Sequence, residues 1–299
     1  MAKSSPIRSY PIPTRRHPPY RPIPVLPKRR AWYQMPDAIA GLIILSIVVC
    51  FSLLGPTLTG CDAYEMHVDS RLAAPSVAHW LGTDQFGRDV LCRTFHGGRV
   101  SLPVGALAVV AAALPGLWLG LIAGYRGGWV DTVIGRFTDM LLAFPSILLA
   151  LLVIAWLGAG IGNAMLAIGV AGLPRYVRVA RANAARLERA WFVRAARIVG
   201  CSDARILTRH IMPNVLPTII ALATLDVAWA ILNGAALSFL GLGAEPPTAE
   251  WGAMIDQGRG FLRQAPWIAL APGTMMSLTV LAINLLGDGL RDALDPRVR

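Results

Sequence analysis

Few residue types in this chain stand at spacings that could do chemistry. Its five histidines, His17, His67, His79, His96 and His210, are isolated, so the HExxH pair of a membrane zinc protease is missing and no metal site is expected. An intramembrane aspartyl protease of the GxGD kind would need Gly where Leu285 stands ahead of Gly287 and Asp288. Lys3 and Lys28 are the only lysines, so a phosphate-binding GxxxxGK[ST] loop cannot exist; if ATP is used, another subunit hydrolyses it. Cys50, Cys61, Cys92 and Cys201 form no CxxC pair and are read as incidental, although Cys61 and Cys92 share one polar segment and could pair. No catalytic residue and no cofactor is therefore expected in this chain.

The polar residues that remain interesting lie inside apolar runs. An unpaired carboxylate at mid-bilayer costs roughly 2.5–3.5 kcal/mol on insertion scales, so Asp226 should face another helix or a water-filled path. Asn233, seven residues on, shares its helix face. A structural hydrogen bond and a place on a translocation path both fit these two. Asp139 is read as a partner of Arg136, and Arg175, Arg178 and Arg181 as side chains that snorkel to lipid phosphate.

The elements that must position these residues are apolar helices. The chain has 299 residues, 55% hydrophobic and 15% charged, against roughly 45–50% and about 25% in soluble domains. Mean hydropathy is +0.54. An all-α polytopic membrane protein follows, with six spans near residues 38–58, 100–125, 133–157, 164–182, 214–240 and 266–287. Residues 1–36, rich in Pro and Arg, read as a disordered tail, 37–290 as the membrane domain and 291–299 as a second tail.

The net charge of +11 would suit nucleic acid in a soluble protein, but its distribution argues for topology instead. Of 28 Lys and Arg, all but Arg71, Arg88, Arg93, Arg99, Arg259 and Arg263 fall on the side of the termini. That side is expected to be cytoplasmic, with anionic lipid rather than nucleic acid as the contact.

Most of the remaining signal is in the basic stretch between spans four and five. Good helix formers at about 189–199 precede Gly200, a residue suited to ending a helix, and Ser202 can cap a short second helix to about His210 with Asp203 in its first turn. Pro213 then opens span five. The product is a helix, a turn and a helix whose small residues, Ala195, Ala196 and Gly200, permit a partner to approach closely. An amphipathic helix lying on lipid is the blander alternative.

Residues 192–213, FVRAARIVGCSDARILTRHIMP, resemble the EAA loop of ATP-binding cassette (ABC) importer permeases; Ala195, Ala196, Gly200 and Ile211-Met212-Pro213 match, while Arg194 stands where the family has Glu. HWLGTDQFGRDVL (79–91), AGYRGGWVD (123–131), DMLLAFPSILLAL (139–151), LSFLGLGAEPPTAEWGAMI (237–255) and LLGDGLRDALDP (285–296) are similar to segments of the second permease of dipeptide and oligopeptide importers, a family that also carries nickel, glutathione and other small cargo.

The resemblance implies a type I importer permease in a bacterial inner membrane, with a cytoplasmic coupling helix docking on an ATPase. It implies as partners a homologous second permease forming a heterodimer, two ATP-binding subunits holding ATP and Mg, and an extracytoplasmic binding protein that selects cargo. Phe192, Arg194, Ala195, Ala196, Gly200, Ser202 and Asp203 become the coupling loop, and Asp226 and Asn233 candidates for the path. Glu245, Glu250 and Trp251 become an external loop near the lipid surface that could touch the binding protein. The competing class is an ion-coupled secondary transporter, which would show inverted repeats and need no ATPase.

Overall fold

Asp89 starts a helix of 37 residues. Its carboxylate accepts from the backbone N–H of Cys92 at 2.9 Å, and α2 then runs without a break over Val90–Arg126. The computed structural model describes residues 35–294. Most of the 1–36 tail and the last five residues of the 291–299 tail lie outside that range. The described residues are mainly helical, without a strand, the longest non-helical stretch lying between α1 and α2. They comprise α1 (Pro36–Thr59), α2, α3 (Gly128–Leu142), α4 (Ser146–Leu157), α5 (Ile161–Glu188), α6 (Trp191–Ile198), α7 (Asp203–Arg205), α8 (Met212–Phe239), α9 (Trp251–Arg259) and α10 (Trp267–Leu294).

The core is built around α2 and α5, the most extensively packed pair. Gly116, Gly120 and Gly124 form a stripe along α2, and a Cβ at Gly120 would lie 2.5 Å from the Val177 carbonyl oxygen and 2.6 Å from the Ala180 Cβ. Gly124 faces Ala184 in the same way. Small residues on both helices let the backbones touch, which in lipid replaces the hydrophobic drive available in water. α8 closes the other flank of α2, and α1 lies against α10.

Three expectations about the spans need correction. The single span over 133–157 is two helices, α3 and α4, bent by 94°. Pro145 has no N–H to continue the ladder and drives Phe144 out of the helical region, so the chain turns there. α2 begins ten residues before the expected boundary, because its first turns are held by a folded polar cap. The expected break between a short helix ending near His210 and span five is absent: residues 203–239 are continuous. A π turn over Ile206–Ile211 joins the two parts ahead of Pro213, with Met212 N–H bonded to the Leu207 carbonyl and Asn214 Nδ2 donating to the His210 carbonyl at 2.7 Å.

Four helical stretches are long and apolar enough to cross a bilayer, and a fifth if the bent α3–α4 pair counts as one span. α5 has 28 residues, enough length, but carries Arg175, Arg178, Arg181 and Arg186. The helices themselves therefore support four to five apolar spans rather than establishing six.

Candidate functional site

Between α5 and α8, Ile206 and Ile211 are fully buried, and α6 itself is anchored by one fully buried side chain, Val193, with Ala196 and Cys201 packed partly against the same core. The rest of α6 points away. Trp191, Ile198 and Val199 are 83%, 85% and 82% exposed, and Phe192, Arg194 and Ala195 are exposed as well. The helix ends in a Schellman arrangement: Cys201 N–H donates to the Ala196 carbonyl at 3.0 Å and Gly200 N–H to Arg197 at 3.1 Å. Gly200 has φ +85°, and a Cβ there would meet nothing within 4 Å. Its requirement is conformational, not steric. Ser202 caps α7, accepting from Arg205 N–H at 3.4 Å.

Three residues that the sequence reading passed over complete this loop. The Tyr125 hydroxyl, at the end of α2, donates to Asp203 Oδ1 at 2.6 Å. Arg197 Nη2 donates to the same hydroxyl at 3.5 Å and to Glu188 Oε1 at 3.3 Å. Tyr125 lies in the AGYRGGWVD segment, yet nothing local marks it; its partner is 78 residues away.

Three of the four arginines of α5, expected to snorkel to lipid phosphate, instead have partners within the protein. Each pairs with an acid on another helix: Arg175 with Asp226 of α8, Arg178 with Asp139 of α3 at 2.9 Å and Arg181 with Asp131 of α3 at 2.6 Å. Asp139 thus bonds Arg178, not Arg136. Asp226 is buried whereas Arg175 is half exposed, its guanidinium 5.9 Å from the Trp229 ring centre. Asn233 donates to the Trp229 carbonyl of its own helix at 2.8 Å, so it and Asp226 form no joint polar site. A cavity of about 740 Å³ opens beside the ladder, lined by Tyr125, Asp131, Asp139, Arg178, Arg181 and Glu188 among others.

At the opposite end of α2 sits the cap, made of residues 60–89 and α9. Cys61 and Cys92 are joined in a disulfide there, which corrects the reading of all four cysteines as incidental. Asp84 accepts from Arg88 Nε at 2.7 Å and lies 3.5 Å from Arg93 Nε, all three buried. Glu250 and Trp251 are interior as well. Glu250 accepts from Ser101 Oγ at 2.8 Å, Gly252 N–H at 3.0 Å and Ala253 N–H at 2.9 Å. The Trp251 indole N–H donates to the Thr94 carbonyl at 3.0 Å, and its ring fills the space that Gly97 and Gly98 leave on α2. Neither side chain can anchor in lipid or meet a docking protein. Of the three residues expected there, Glu245 alone is exposed.

The model of the family described as binding-protein-dependent transport system inner membrane component matches residues 116–299, more than half of the chain. The chain belongs to that family. The permease is 46% identical over 278 residues to the dipeptide transport system permease protein DppC of Alkalihalophilus pseudofirmus, covering 92% of this chain and 91% of that one. It is 47% identical over 263 residues to the glutathione transport system permease protein GsiD of Escherichia coli, with 88% and 87% covered. Among solved structures, an inward-facing form of the MetNI methionine ABC transporter aligns with a TM-score of 0.55 over 68% of this permease and 96% of that chain, at 17% identity, a likeness of fold. The loop with Ala195, Ala196 and Gly200 lies inside the family match, and the permease is the transmembrane subunit of an ABC importer. That assignment removes the secondary transporter.

Proposed function

We propose that this permease forms half of a path for dipeptides or short peptides, and that α6 is the cytoplasmic helix that docks in a groove of an ATP-hydrolysing partner. The observation that carries the docking reading is the exposure of Trp191, Ile198 and Val199 on a helix whose buried side chain, Val193, fixes it to the core. Large apolar side chains held out on a short, capped helix fit a protein groove. Arg194, stacked 5.5 Å over the Trp191 ring, adds a cation to that surface.

Similarity to DppC and GsiD supports a cargo of peptide chemistry, since glutathione is itself a tripeptide. The Arg175–Asp226 pair is a candidate for the path wall, with Asn233 on the same helix. The remaining parts follow the family: a homologous second permease, two ATPases holding ATP and Mg, an extracytoplasmic binding protein and a bacterial inner membrane. Both termini and α6 face the cytoplasm in this reading, supported by the basic-residue distribution. A disulfide at the cap end fits the oxidising side of that membrane.

Ile198→Glu tests the dock. The residue is solvent-exposed, so the isolated permease keeps its yield and thermal stability, while the ATPase no longer co-purifies with it. Retention of the ATPase at wild-type stoichiometry would remove the docking role from α6.

A further inference from the structure

Resting on the reading of α6 as the ATPase dock, we propose that Tyr125 is the positioning residue that sets the angle of this dock, and that its hydroxyl ties the dock to the cap at the far end of α2. One rigid element joins the two. α2 has 37 residues, which at 1.5 Å per residue makes it about 55 Å long.

Its first four turns hold the cap. Cys92 carries the disulfide, Arg93 donates to the Ala63 carbonyl at 3.1 Å, Thr94 receives the Trp251 indole and Ser101 bonds Glu250. Its last turn holds the loop. The Tyr125 hydroxyl bonds Asp203 at the start of α7 and receives Arg197 of α6, which also reaches Glu188 at the end of α5. One oxygen atom thereby meets both arms of the coupling loop.

The other attachments of α6 to the body are apolar, Val193 and part of Ala196. Dispersion and burial resist separation but are non-directional, so they leave an eight-residue helix free to rock. Hydrogen bonds to a charged carboxylate and from a guanidinium are directional and stronger than neutral ones. The ring of Tyr125 is buried in the core and would pack equally well as phenylalanine. What the hydroxyl adds is orientation.

If the cap is where a cargo-loaded binding protein lands, a shift of α2 moves Tyr125 and, through it, the dock. Such coupling is a free energy shared by two sites, and a contiguous chain of contacts is not evidence of it without a cycle of mutations. The assay uses the assembled transporter in lipid nanodiscs, with basal ATP hydrolysis and its stimulation by the cargo-loaded binding protein read separately. Tyr125→Phe should leave ATPase co-purification intact and cut the stimulation about ten-fold, the equivalent of one hydrogen bond to a charged group. Asp203→Ala, at an exposed position that leaves the core untouched, should give the same cut, and the double variant should lose no more than either single.

Normal stimulation in Tyr125→Phe overturns the proposal. So does an additive loss in the double variant, or a Tyr125→Phe protein that loses basal hydrolysis and stimulation in equal proportion, because either result leaves Tyr125 a merely structural residue. The dock reading stands or falls separately, on whether Ile198→Glu releases the ATPase.

Discussion

Asp226 is buried while its partner Arg175 stands half in the open, so the two members of that pair are not equivalent. Removing the arginine strands a carboxylate inside the helix bundle. Arg175→Ala should lower stability by about 2–3 kcal/mol, less than the full cost of orphaning a buried ion because solvent can reach the gap. Arg178→Ala breaks a pair exposed on both sides and should cost at most ~1 kcal/mol. Thermal unfolding of the solubilised permease compares them directly, and equal costs would show that burial of Asp226 is not what matters. Trp251 is a second case. It is fully buried against Gly97 and Gly98, so Trp251→Ala should destabilise by about 3–5 kcal/mol. Glu245→Lys should leave the melting temperature unchanged. From the sequence, Trp251 next to two prolines looked like an interface anchor. Its actual role depends on two glycines far earlier in the chain, Gly97 and Gly98, which no local pattern records.

At the scale of elements, close approach and capping decide the architecture. Gly120→Leu should prevent α2 and α5 from packing, since its Cβ position already lies 2.5 Å from a backbone oxygen. Gly162→Leu, where nothing stands within 4 Å, should be accepted. Membrane-inserted yield and protease resistance distinguish the two variants, and equal tolerance would contradict the glycine stripe. The cap carries another test. The disulfide closes a separation of 31 residues, worth roughly 3.5 kcal/mol on a chain-entropy view. Reductant, or Cys61→Ser with Cys92→Ser, should therefore make residues 60–89 the first segment cut by protease, with α5 to α8 unaffected.

Much at this scale was legible beforehand: four of the apolar runs, those of α1, α2, α8 and α10, the α6–Gly200–Ser202 punctuation and the positive φ at Gly200 all follow from local residue types. The bend at Pro145 was missed, because the continuous apolar run over 133–157 masked the local proline signal. The arginine ladder was not. A spacing of three places Arg175, Arg178 and Arg181 along one flank of α5, but their acids come from α3 and α8 at separations of about 40 to 50 residues.

For the whole molecule, charge asymmetry and the disulfide both bear on orientation. Introduced cysteines at Ser70 and Glu245 should label from outside intact cells, and those at Ser202 and Arg299 only after permeabilisation. Glu250 is unsuitable as a reporter because its side chain is buried. The central claim is that this permease moves peptide cargo only when a partner ATPase engages α6. The most direct measurement is uptake of a labelled dipeptide into proteoliposomes holding the complete transporter, with ATP supplied on the α6 side and ion gradients dissipated. The account predicts uptake that requires ATP and the binding protein, and that vanishes when Ile198→Glu permease is used. Uptake by the permease without its ATPases, driven by an imposed proton or sodium gradient, would contradict it.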